Sequence, residues 1–197
     1  GGYEQKLVSN FVSISKNAGA NIFLDIGANV GIYTIEFAKN FDNLEIHAFE
    51  PDKRNFSQLM ANVYLNEIYD RGLFHNFGVS ATKATLSFDR YTNENPGRSR
   101  VDDDGKHKIL AFAIDDIIDV AGRTIAIKID VEGHEVPALN GMRRTLIDNS
   151  CIIQVETFDR RKVSAFFDDI GYILTNDFGT DLIFMHPDRQ TSHKISW

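Results

Sequence analysis

Ile22-Phe23-Leu24-Asp25-Ile26-Gly27-Ala28-Asn29-Val30-Gly31 decides the fold of this chain. An apolar run enters a glycine turn, and a helix-like segment, residues 32–39, leaves it. Strand, glycine turn and helix in that order make the layout of a nucleotide-type cofactor site. Gly27 lets the backbone turn tightly, and Gly31 lets the helix lie close to the strand and to a ligand. A second apolar strand, residues 44–49, then ends in an acid, Glu50. An acid there is placed to accept hydrogen bonds from both hydroxyls of a ribose.

The phosphate half of a dinucleotide site does not fit. Such a site wants G-x-G-x-x-G, whose bare N–H groups and helix N-terminus approach a pyrophosphate. Here the turn reads D-x-G-x-N-x-G, opening on the carboxylate of Asp25 and carrying Asn29 in its loop. Asp25 would repel a pyrophosphate and would suit a cofactor bearing an ammonium or sulfonium. The pattern points to S-adenosylmethionine rather than NAD.

A length of 197 residues suits one α/β domain with a sizeable core. Gly1-Gly2 reads as a cloning remnant or as the edge of a domain cut from a longer chain. The formal net charge of −7 disfavours long nucleic acids and anionic membranes as partners, and no apolar run is long enough to span a bilayer. The single cysteine, Cys151, has no partner for an internal disulfide and sits in an apolar run, so a buried inert thiol in a reducing, cytoplasmic compartment is expected.

Periodicity places a leading amphipathic helix at 3–17, strands at 21–25, 44–50 and 73–79, and helices at 30–40 and 51–66. Residues 85–89 and 109–113 read as a two-stranded excursion. Between them, residues 91–108 are polar and longer than an ordinary connection, which suggests a substrate lid or a disordered loop. A short helix (115–120), a strand (124–130), a helix (135–148), a strand (151–156) and a helix (160–170) follow. Strands 172–175 and 181–185 close the chain through a turn containing Gly179. The expected fold is a mostly parallel, seven-stranded, Rossmann-like sheet with helices on both faces. An antiparallel C-terminal hairpin places one antiparallel strand at its edge.

Ligands of open α/β sheets bind outside the carboxyl ends of the strands. The polar residues at those ends are Asp25, Glu50, Ser80 beside Gly78-Val79, the run Lys128-Ile129-Asp130-Val131-Glu132-Gly133-His134-Glu135, and Glu156. Lys128 is the odd one, because a central strand is buried on both faces and should be apolar. Lys128 and Asp130 point to one face, and Asp130 or Glu156 is the partner a buried lysine needs. Methyl transfer to a hydroxyl is an in-line displacement in which the acceptor oxygen must be aligned and deprotonated. Asp130, Glu132, His134 and Glu156 are candidates for that task by position. Asp130 and Glu156 are also candidates to hold Mg²⁺, if a metal is used.

At these residues the chain resembles the FkbM family of S-adenosylmethionine-dependent methyltransferases. The matching blocks are F-L-D-I-G-A-N-V-G-I-Y-T (23–34), A-F-E-P (48–51), N-V-Y-L-N (62–66), I-K-I-D-V-E-G-H-E (127–135) and Q-V-E (154–156), in the family's order. The resemblance implies a class I methyltransferase fold and O-methylation, most often of a sugar or polyketide hydroxyl. By position it implies that Asp25, Gly27, Asn29, Gly31 and Thr34 line the methionine end of the cofactor. Glu50 would bind the ribose, with Pro51 beside the adenine and Gly78, Val79 and Ser80 at its edge. Asp130, Glu132 and His134 would face the methyl group and the acceptor. A compact catalytic domain fits a tailoring module working with glycosyltransferase domains, for which a deoxyhexose such as rhamnose is a suitable acceptor. The competing readings are a methyltransferase of RNA or protein, and a non-catalytic S-adenosylmethionine-binding module.

Overall fold

Apolar residues fill whole strands in the middle of this chain, and the reason is that both faces of the sheet are covered. In β1 (Ile22–Ile26) and β8 (Thr124–Ile129) every residue is buried. The computed structural model describes residues 2–89, 100–101 and 105–187. Its main sheet also contains β2 (Glu45–Phe49), β3 (Gly72–His75), β9 (Ser150–Glu156), β10 (Ile173–Phe178) and β11 (Asp181–Met185). The seven strands run in the order β10-β11-β9-β8-β1-β2-β3. The pairs β9–β8, β8–β1, β1–β2 and β2–β3 are parallel.

One core lies on each face. On one, α1 (Gly2–Asn17), α2 (Ile32–Asn40) and α3 (Lys53–Leu65) bury Phe11, Phe37, Leu59 and Val63 against Phe23, Ile46, Ala126 and Ile152. On the other, α4 (Glu135–Asn140), α5 (Arg143–Asp148) and α6 (Arg160–Asp169) bury Ala138, Leu146, Val163 and Phe167 against Leu24, Ile125, Ile127 and Ile153. Side chains alternate along a strand. So the face that carries Phe23, Ala126 and Ile152 also carries Asp25, Lys128 and Gln154 one step towards the carboxyl ends.

The expected fold class is found, with four local differences. The antiparallel strand is β11, one place in from the edge, because the closing hairpin folds β11 between β9 and β10. The apolar run at 73–79 divides: β3 stays in the main sheet, and β4 (Gly78–Val79) joins a second sheet. That sheet has the order β4-β7-β5-β6, with β5 (Ala84–Asp89), β6 (Arg100–Val101) and β7 (His107–Phe112), so the excursion is larger than a single hairpin. The helix expected over 135–148 is broken between α4 and α5 at Gly141, where a Cβ would lie 2.0 Å from the Ser80 carbonyl oxygen. Of the polar segment 91–108, residues 91–99 and 102–104 lie outside the described residues. No described helix is long and apolar enough to cross a membrane.

Candidate functional site

The carboxyl ends of β1, β2, β4 and β8 surround a cavity of about 420 Å³, in the size range of small-ligand pockets. Gly27, Asn29 and Val30 line it from the loop after β1, and Phe49, Glu50 and Pro51 from the end of β2. Gly78 and Val79 come from β4, and Asp130, Val131, Glu132 and His134 from the loop after β8. Asn55 and Gln58 of α3 and Leu86, Phe88 and Ile109 of the second sheet complete the wall.

The loop after β1 is shaped by backbone constraints. Gly27 has φ +81°, and a Cβ on it would meet the Asp130 carbonyl oxygen at 1.9 Å. The loops after β1 and β8 therefore touch through a position that only glycine can occupy. Asn29 (φ 51°) and Glu132 (φ 45°) also adopt the left-handed conformation, and both line the cavity. For residues other than glycine that conformation stores strain, and it clusters at ligand sites. The Asn62 side chain donates to the Val30 carbonyl at 2.8 Å and ties the loop to α3.

Glu50 is the best-organised polar group of the cavity. Its Oε2 accepts from the Asn29 N–H at 2.9 Å and its Oε1 from the Asp52 N–H at 2.8 Å. A carboxylate has roughly four acceptor sites, so capacity remains for a ligand hydroxyl. Burial pushes its titration up to about 7, against the two backbone donors that favour the anion. Asp52 in turn caps α3, accepting from the Arg54 and Asn55 N–H groups. Across the cavity, His134 Nε2 lies 2.9 Å from Ser80 Oγ, and burial lowers the imidazole's pKa, so the ring is neutral at physiological pH. Glu135 is buried and accepts from the Gly133 N–H, closing the start of α4.

Several expected site residues stand behind the cavity rather than on it. The Asp25 carboxylate is 2% exposed, and its Oδ2 accepts from the N–H and the hydroxyl of Thr34 at 3.0 and 2.6 Å. It holds the first turn of α2, and Thr34 is engaged with it. Gly31 faces Leu59, whose Cδ1 would lie 2.5 Å from a Cβ there. Ser80 reaches the cavity only through His134. Lys128 lies under the loop after β8, with Nζ 3.4 Å from Asp181 and 3.8 Å from Glu156. Its ammonium also faces the Tyr33 ring at 5.3 Å. Burial, with the nearby Asp130 charge, pushes the Glu156 titration up to about 7 against the pull of Lys128, and of these two acids only Asp130 lines the cavity.

The second-sheet wall was not foreseen, yet it carried a signal. In β5, Ala84, Leu86 and Phe88 alternate with Thr85 and Ser87, the period-two pattern of a strand with one apolar face. Leu86 pairs in register with Ile109, so these two side chains share that face. A Cβ on Gly78 would lie 3.5 Å from Ile109 Cδ1 and 3.7 Å from Pro51 Cβ, so all three meet at one end of the cavity.

The profile of the Methyltransferase FkbM domain family matches residues 25–179. The chain belongs to the FkbM methyltransferase family. It is similar to methyltransferase sdnD of Sordaria araneosa, 24% identical over 201 residues that cover 82% of this chain and 77% of sdnD. It is also similar to the hexuronic acid methyltransferase AglP of Haloferax volcanii, 25% identical over 132 residues, 64% of this chain and 52% of AglP. Among solved structures it superposes on an FkbM methyltransferase from Methylobacillus flagellatus with a TM-score of 0.63 and 20% identity, covering 85% of this chain and 44% of that one. The O-methyltransferase from Bacillus cereus, solved in complex with SAH, gives a TM-score of 0.56 at 14% identity, covering 91% and 79%. This FkbM chain thus spans about half the length of AglP and less than half of its M. flagellatus neighbour. It has the fold of a class I methyltransferase and is a methyltransferase by family.

Proposed function

We propose that this chain is an S-adenosylmethionine-dependent O-methyltransferase acting on a hydroxyl of a sugar, a glycan or another small molecule. The observation that carries the reading is the charge of the cavity. Glu50, Asp130 and Glu132 line it, and no lysine or arginine does among the described residues. A pyrophosphate would be repelled there, whereas a sulfonium and an ammonium are attracted. This lining supports the cofactor class that Asp25 suggested, although Asp25 itself points inward. Glu50 offers its remaining acceptor capacity to the ribose hydroxyls. Gly27 and Asn29 allow close approach of the methionine end. Pro51, Gly78, Val79 and Ile109 form an apolar slot suited to adenine.

When bound, the cofactor supplies an electrophilic methyl group on sulfur. The chain's own residues must then seat the acceptor oxygen and take its proton. Asp130 is the first candidate for that base, since it lines the cavity beside Glu132. His134 is the second, because its neutral ring is fixed by Ser80.

A metal fits the residues poorly. Among the described residues no three carboxylate, imidazole or thiol groups converge as a ligand set, and the Lys128 ammonium already stands beside Glu156 and Asp181. Turnover is therefore expected to be indifferent to EDTA.

The acceptor class leans on AglP, whose name specifies hexuronic acid, and on the family resemblance. The acidic lining favours a neutral sugar over a uronate, and a deoxyhexose such as rhamnose meets that requirement. Calorimetry with S-adenosylhomocysteine, and NAD as control, tests the cofactor. Binding of the first alone supports the reading, and binding of NAD overturns it. A panel of neutral sugars and hexuronates then tests the acceptor.

A further inference from the structure

Of the fifteen phenylalanines of this chain only Phe158 is exposed, with 64% of its surface open to solvent. A single apolar side chain on a surface is ordinary, and what sets Phe158 apart is its place. It follows β9, at the carboxyl end of the sheet, where ligands of such folds bind. The chain on either side of it is fixed. Thr157 is buried, and its N–H donates to the Thr180 carbonyl at 2.9 Å. The Asp159 N–H donates to Thr157 Oγ1 at 3.1 Å, and the Asp159 carboxylate caps α6 by accepting from the Lys162 N–H. A held backbone thus presents the ring to solvent.

β9 lies beside β8, whose following loop brings Asp130 and Glu132 to the cavity. Val155 pairs in register with Ile129, so Glu156 and Asp130 come next on the two strands, and Phe158 stands two residues further on. Neighbouring strands lie about 4.8 Å apart and a strand advances about 3.3 Å per residue, which puts the Phe158 Cα within roughly 12 Å of the Asp130 Cα. On the other flank of β8, α2 leaves the β1 loop with Ile32, which is 44% exposed. The acids of the β8 loop therefore stand between two exposed apolar side chains.

That combination suits one class of acceptor. A pyranose ring has a face of C–H groups and a rim of hydroxyls. The negative face of an aromatic ring attracts the C–H groups, and carboxylates accept from the hydroxyls. We propose that Phe158 is the platform on which a pyranoside acceptor lies, C–H face to ring, while Asp130 and Glu132 receive its hydroxyls. This rests on the sugar O-methylation proposed above and names the surface that selects the sugar. Phe158 is then a specificity-determining residue, which holds the acceptor and takes no part in methyl or proton transfer.

The experiment uses a panel of neutral methyl pyranosides, the rhamnoside among them, with catechol as a non-sugar acceptor. Binding to the S-adenosylhomocysteine-bound protein is read by proton NMR, because C–H protons lying on an aromatic face move upfield. We expect upfield shifts with the wild type, their loss in Phe158→Ala and their retention in Phe158→Trp. In turnover with S-adenosylmethionine, KM for the pyranoside should rise about five- to tenfold in Phe158→Ala and recover in Phe158→Trp, the scale of one aromatic contact. Both kcat and S-adenosylhomocysteine affinity should stay within about twofold. Ile147→Ala, which trims an exposed apolar side chain on α5, should change none of these. If the wild type methylates pyranosides and Phe158→Ala leaves KM and the shifts unmoved, the platform is overturned and sugar O-methylation stands. A matching loss of S-adenosylhomocysteine affinity in Phe158→Ala also overturns it, because the residue then serves the cofactor or the fold. Pyranosides that are neither bound nor methylated by the wild type, whether or not catechol is, overturn the sugar reading and the platform with it.

Discussion

Glu50 and Asp25 are both acids at the ends of neighbouring strands, and the structure gives them different tasks. Glu50 presents its two oxygens to the cavity, each already oriented by a backbone N–H. Glu50→Gln keeps the shape and loses the charge. We expect S-adenosylhomocysteine to bind roughly tenfold more weakly in calorimetry, the scale of one hydrogen bond to a charged group. Asp25 spends its carboxylate on Thr34. Asp25→Ala should therefore lower stability by about 1–3 kcal/mol, read from the urea midpoint, because it strands buried donors at the start of α2. A large loss of ligand affinity without a stability loss would return Asp25 to the cofactor site. Asp130→Asn tests the chemistry: kcat should fall by about a hundredfold or more, with affinity for S-adenosylhomocysteine within about threefold. Equal losses in both would make Asp130 a cofactor ligand instead.

Elements set where these residues stand. The loop after β1 and the loop after β8 touch at Gly27, whose missing side chain leaves room for the Asp130 carbonyl. Gly27→Ala must both strain a positive φ and push the two loops apart, so a loss of more than about 2 kcal/mol is expected in thermal unfolding. The second sheet acts on the cavity through Leu86, Phe88 and Ile109. Its apolar alternation was readable, but the face it covers was not, because β5 and β7 pair over a sequence gap that includes the undescribed stretch. The same limit applied at the closing hairpin. Two short apolar runs and Gly179 announce a hairpin, while insertion of β11 beside β9 is settled by packing, and it brings Asp181 to Lys128 across 53 residues.

For the whole molecule the buried acids predict a pH dependence of stability. Burial raises Asp25 to about 6 and Glu50 and Glu156 to about 7, from ordinary values of 3.8 and 4.5. A folded-state pKa above the unfolded one means that the folded protein binds the proton more tightly. The stability each group contributes is then full below its ordinary value and lost as pH rises through its folded value. His75, stacked on Phe49, has the opposite sign: burial lowers it from 6.5 to about 4, so its contribution is present above 6.5 and lost as pH falls through about 4. The ligand-free protein should thus melt at a lower temperature at pH 8 than at pH 6, and Glu50→Gln should flatten that slope. A melting temperature that rises over this interval would contradict the burial of these carboxyl groups.

Sequence by itself determined the sheet, the glycine turn, the acid after the second strand and the family, because each is written in contiguous residues with a fixed spacing. Periodicity also placed Lys128 and Asp130 on one face, since side-chain alternation is a local property of a strand. Only the tertiary structure decided which carboxylates line the cavity, what partners Lys128 has, and that a second sheet walls the site. Those outcomes depend on strand order and on close approach between segments far apart in the chain, and no local pattern encodes such distances.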